Sequence, residues 1–81
     1  MSHACAADGC ELTVADDKLM CLAHWRMVPR PLQIDIWRAW RAVLSARDRA
    51  RKLEAMKLHR AARDAAVAAV REREIRRELR A

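Results

Sequence analysis

Cys5, Cys10, Cys21 and His24 are the side chains of this sequence best able to do chemistry. They form a Cys-x4-Cys-x10-Cys-x2-His pattern, two close pairs joined by a short loop. A structural metal site is commonly built this way, because each pair supplies two ligands from one local turn and four ligands close a tetrahedron. Three thiolates and an imidazole suit Zn²⁺, and we expect one structural zinc ion. An odd number of cysteines argues against a disulfide framework. His3 is the fallback ligand, disfavoured because one residue alone separates it from Cys5. A catalytic zinc would need an open coordination position and a nearby general base. Four protein ligands leave no such position, and Glu11 is the only glutamate nearby.

The ligands need elements to hold them. Gly9, the only glycine, directly precedes Cys10, where a metal knuckle calls for positive φ. Leu12 and Val14, followed by the Ala15-Asp16-Asp17 turn, suggest a short hairpin within residues 11–18. Residues 18–25 read as a helix, on which Cys21 and His24 share a face. Knuckle, hairpin and ligand-bearing helix predict a small treble-clef-like zinc-binding head at residues 1–30.

The run Cys-Ala-Ala-Asp-Gly-Cys, followed by Leu19-Met20-Cys21-Leu22-Ala23-His24-Trp25-Arg26-Met27-Val28-Pro29-Arg30-Pro31-Leu32, resembles short uncharacterised zinc-finger-like proteins of bacteriophages and bacterial genomes. In those, a Cys-x2-His-Trp-x-x-Val-Pro segment leads into a helix with a tryptophan, a place matched here by Trp37 or Trp40. The resemblance covers residues 3–40. It implies ligands at Cys5, Cys10, Cys21 and His24 and a phage or prophage origin, and it assigns no activity.

Val28-Pro29-Arg30-Pro31 is a hinge. Pro29 ends the first helix, and Pro31 suits the first turn of the next. Residues 32–81 contain neither Gly nor Pro and are rich in Ala, Arg, Leu and Glu, good helix formers that would reach about 75 Å as one rod. The fold class is therefore mainly α, a treble-clef-like head followed by a long basic amphipathic helix over 31–81. Leu32, Ile36, Trp37, Trp40, Val43 and Leu44 make a stripe about 140° wide. We expect 31–45 to pack it against Leu12, Leu19, Leu22, Trp25, Met27 and Val28. The stripe resumes after Lys52 mostly as alanine, so 46–81 is expected to protrude or to oligomerise, most simply as a dimer. Two alternatives stand beside this. The helix can break at the capping-like Ser45-Ala46-Arg47-Asp48 and fold back as a hairpin, or the tail can become ordered only on binding.

Composition limits the function. Of the 81 residues 53% are hydrophobic, but 17 are alanine and none is Phe or Tyr. So little bulk requires a metal, a disulfide or a partner for stability. No nucleophile–base pair or phosphate loop is evident, which argues against an enzyme. No apolar run suits a membrane span. The N-terminus lacks a basic and apolar leader, and with reduced cysteines this predicts a cytoplasmic protein.

The net charge is +6. Asp8, Glu11, Asp16 and Asp17 outweigh Lys18 before residue 26, so the excess lies in 26–81, and fourteen of the seventeen basic residues are Arg. Two functions fit. The first is a protein-interaction module, a small phage or prophage factor docking on a host complex and self-associating through its C-terminal helix. The second is a nucleic-acid-binding, regulatory zinc finger. Arg38, Arg41, Arg47, Arg49, Arg51 and Lys52, with Trp37 and Trp40, are the candidate partner contacts in either. Acids at 54, 64, 72, 74 and 78 dilute the tail's positive field, which tilts the reading toward protein.

Overall fold

The computed structural model describes residues 2–80. In chain order the elements are β1 (Ser2–Ala4), β2 (Thr13–Ala15), α1 (Leu22–Trp25), α2 (Arg30–Ser45) and α3 (Arg49–Arg80). The protein is mainly α, with a long C-terminal helix and a small head that carries a Cys3His cluster.

The head begins with an antiparallel pair in which Ser2 faces Ala15, His3 faces Val14 and Ala4 faces Thr13. The hairpin expected inside 11–18 is thus corrected. Thr13–Ala15 pairs with residues before Cys5, because the knuckle folds the chain back and delivers β1 as its partner. The Cys5 N–H donates to the Leu12 carbonyl (2.8 Å), and the Ala6 N–H donates to the Leu19 carbonyl (3.1 Å). Gly9 has φ 78°, and the Cys10 N–H closes the turn on the Ala7 carbonyl at 3.2 Å. An L side chain there would be strained.

The helix read over 18–25 is also shorter than expected. It spans Leu22–Trp25, and Cys21 is its extended N-cap with φ −62° and ψ 160°. Cys21 therefore approaches from just outside the helix and His24 from its first turn. Pro29 caps α2, with φ −56° and ψ 140°. The Gln33 amide pins the hinge by donating to the Trp25 (3.0 Å) and Val28 (3.2 Å) carbonyls.

The largest departure concerns residues 46–81, which neither continue α2 nor protrude. Ala46 turns extended (φ −65°, ψ 128°) and ends α2. Asp48 starts α3, its carboxylate accepting from the Arg51 N–H at 2.8 Å. That satisfies one of the unpaired donors of the first turn. α3 then packs back along α2 and onto the head. Its length, about 48 Å, sets the long dimension of the molecule, 50 Å.

Alanine makes this close return feasible. Ala39 of α2 and Ala55, Ala66 and Val70 of α3 are buried. Ala66 and Val70 join Cys5, Ala7, Met20, Val28 and Ile36 in one core. The face of α3 that α2 and the head cover is Ala55, Ala66 and Val70, whereas of the stripe that the sequence offered to a second chain Ala62 and Ala69 are half-buried and Leu58, Ala61, Ala65, Ala68, Ile75 and Leu79 are exposed.

The α2 stripe is split as a result. Ile36 is buried and Leu32 packs against the core, whereas Trp37, Trp40 and Leu44 are exposed, as are Leu12 and Leu22 of the head. α3 takes the place that the full stripe was expected to fill against the head. Among the described residues no helix is long and apolar enough to cross a membrane.

Candidate metal centre and basic groove

The donor atoms of Cys5, Cys10, Cys21 and His24 all lie within 4.8 Å of one another. The His24 Nδ1 is 3.1 Å from Cys21 Sγ and 3.6 Å from Cys5 Sγ. A zinc ion with Zn–S near 2.3 Å and Zn–N near 2.0 Å sets its tetrahedral corners about 3.5–3.8 Å apart. The cluster is already close to that size. The knuckle delivers Cys5 and Cys10, and the start of α1 delivers Cys21 and His24. These four are positioned to hold one metal ion.

The electrostatics fit a cation. Burial opposes ionisation of Cys5, but backbone N–H groups of Ala7 and Cys21 and the thiols of Cys10 and Cys21 outweigh it and hold its thiol below the ordinary value. The Cys21 N–H lies 3.3 Å from Cys5 Sγ. Cys10 moves the other way. Its Leu12 backbone partner favours the thiolate, yet desolvation and the sulfurs of Cys5 and Cys21 push the thiol up. Neighbouring thiolates repel one another, and a divalent ion among them reverses that repulsion.

The imidazole has a second partner. With Nδ1 turned toward the sulfurs, Nε2 lies 3.6 Å from the Glu74 carboxylate of α3. His3 stays outside the cluster; its Nδ1 pairs with the Ala4 carbonyl at 2.8 Å.

The other expected contact residues are not brought together. Arg47 and Arg51 line a cleft at the turn between α2 and α3, and Arg49 and Lys52 are exposed on the first turn of α3. About 27 Å of helix separates Lys52 from Val70 in the core. Arg38 borders an apolar groove between α2 and α3, and Arg41 is exposed. Trp37 and Trp40 line a different cavity, beside the β2 turn.

A denser basic site was not anticipated. Arg26, Arg73, Arg76, Arg77 and Arg80 line one groove with Ala23 and Met27, and no acidic residue lines it. Arg76 is paired with Glu72 at 2.6 Å. Among the described residues no ion pair holds Arg26, Arg73, Arg77 or Arg80. The signal was present in the sequence: positions 73, 76, 77 and 80 fall on one helical face, while Glu74 and Glu78 are rotated roughly 110° and 150° from its centre. Averaging charge along the tail hid this segregation.

Comparison with family models, curated proteins and solved structures gives no match.

Proposed function

We propose that this chain is a non-enzymatic, zinc-stabilised module that grips the phosphodiester backbone of a nucleic acid in the groove between α1 and the C-terminal turns of α3. The observation that carries this reading is the convergence of five arginines on one concavity without an acid in its lining. Guanidinium groups pair well with phosphate oxygens, and a polyanion would relieve their mutual repulsion. The metal has a structural part. All four of its positions are filled by protein donors, and by fixing α1 it sets Arg26 and Met27 against α3. A protein this lean in bulky core residues gains its head from that ion.

The test is binding of a short oligonucleotide across a salt series. Four phosphate contacts give a slope of log affinity against log salt near −3 to −4. Replacing Arg77 and Arg80 together by Ala should weaken binding and flatten the slope by roughly two contacts. Salt-independent binding, or an unchanged slope in the double variant, would overturn the reading.

A second reading is docking on a host or phage protein, with self-association as a dimer. It is supported by the exposed apolar side chains Ile34, Trp37 and Leu44 on α2 and Leu53 and Met56 on α3. Leu58, Ala61, Ala65 and Ala68 of the stripe that first argued for it are exposed as well, but it is the weaker of the two, since these apolar side chains are spread over two helices while five arginines converge on one groove. Sedimentation over a concentration series tests the dimer.

A further inference from the structure

All three tryptophans of the chain, Trp25, Trp37 and Trp40, line a single cavity of about 330 Å³. It is not a gap within one element. The β2 turn contributes Asp16, Asp17, Lys18 and Leu19, α1 contributes Trp25, α2 contributes Ile36, Trp37 and Trp40, and α3 contributes His59 and Arg63. The His59 ring lies 5.5 Å from that of Trp40, tilted by 51°. Trp37 and Trp40 remain 44% and 37% exposed, although the chain has few bulky residues with which to fill its core. The aromatic surface is spent on the wall of an opening.

The lining has two kinds of surface. Indole faces and the Ile36 and Leu19 side chains form an apolar part, and Asp16, Asp17, Lys18, His59 and Arg63, with His3 at the β1 side, form a polar part of both charge signs. A ligand suited to both has flat π faces and hydrogen-bonding edges. An aliphatic chain would leave the polar groups unanswered. A cationic side chain would find Asp16 and Asp17 but would also meet Lys18, Arg63 and a net charge of +6. A nucleobase carried on a phosphate backbone satisfies both, with stacking on the indoles, ring-edge N–H donors for the carboxylates and an anionic backbone drawn to Lys18 and Arg63. The volume lies at the low end of small-ligand pockets, the right scale for one base and not for a duplex.

We propose that this tryptophan-lined cavity receives one unstacked base of a single-stranded nucleic acid. This rests on the backbone-binding reading above and adds the strandedness that the arginine groove alone does not provide.

The experiment uses the zinc-loaded full chain and three probes of equal length: a single-stranded oligonucleotide, the same strand with abasic sites throughout, and a duplex. Affinity and tryptophan fluorescence are read together. The base-bearing single strand should bind about 5- to 100-fold more tightly than the abasic strand and quench the fluorescence. Trp37→Ala should remove that advantage and leave abasic binding unchanged, whereas Trp37→Phe should keep most of it. Circular dichroism and metal content identify any variant that has lost its fold, and the Phe variant then carries the comparison. Equal affinity for base-bearing and abasic strands, or an equal loss for both in Trp37→Ala, overturns the cavity proposal and leaves the groove standing. If Arg77→Ala with Arg80→Ala changes nothing while the base-bearing strand is still preferred, the groove reading falls and the cavity stands. Absence of binding to every probe overturns both.

Discussion

Glu74 Oε2 lies 3.6 Å from His24 Nε2, so a residue near the end of the longest helix faces the back of the ring whose other nitrogen points at the cysteine sulfurs. Fifty residues apart in sequence, the two join the return of α3 to the geometry of the metal cluster. A carboxylate facing that nitrogen favours the tautomer with its proton on Nε2, which leaves Nδ1 free to donate to a metal.

Glu74→Ala is therefore expected to weaken zinc affinity about 10- to 100-fold, the range seen when such an outer partner of a ligating histidine is lost. Competition with a coloured chelator measures it. Glu74→Gln, which keeps an acceptor without the charge, should fall between. Affinity unchanged in both variants would show that the contact does not orient His24.

Val70 is the largest fully buried side chain, at the point where α3 meets the head. Val70→Ala should cost about 2 kcal/mol through lost burial and an unfilled cavity. Ala66→Leu should cost about 1–3 kcal/mol, because a larger side chain there separates packed backbones. Urea unfolding of the zinc-loaded protein checks both. A protruding tail would leave both substitutions near neutral.

The metal quartet was legible from sequence because ligand chemistry demands particular residue types at short spacing. Cys5, Cys10, Cys21 and His24 satisfied that demand without tertiary information. The hinge was equally open, since proline acts locally. The pairing of Ser2–Ala4 with Thr13–Ala15 was not, because three-residue strands carry too little alternation to declare a partner. The return of α3 was visible only as an alternative. Asp48 is a cap signal, but no glycine or proline enforces the turn, and an alanine face looks the same whether its cover is the same chain or another. The arginine face at 73, 76, 77 and 80 could have been read by helical periodicity, whereas its closure by Arg26 depends on tertiary packing.

Asp48 caps α3 and thereby helps to commit the chain to the hairpin. Asp48→Ala should lower stability by about 1 kcal/mol, and Asp48→Asn should recover most of that loss. Thermal melts of the three proteins at one zinc concentration decide it. Equal melting temperatures would mean that packing alone forms the turn.

Burial first, and the positive charge of Arg63 second, hold the His59 imidazole below its ordinary value, near 6.5 when unperturbed. The unfolded chain then takes up this proton more readily than the folded one. The stability associated with neutral His59 is fully present above about pH 6.5 and declines as the pH falls below it, until the folded ring is protonated too. Lys18 and Asp17 also face this cavity. Comparing His59→Gln with the parent cancels the titration of the metal ligands. The parent should lose stability more steeply between about pH 7 and pH 5, and parallel profiles would refute the prediction.

The most direct test of the whole account is a cobalt(II) titration of the reduced, metal-free chain, followed by its visible and near-ultraviolet absorption. Tetrahedral ligand-field bands and thiolate-to-metal charge transfer should rise together, break sharply at one equivalent and disappear when zinc is added. A featureless titration, or a spectrum of octahedral cobalt without thiolate bands, would contradict the four-ligand centre and the positioning of α1 against α3 that depends on it.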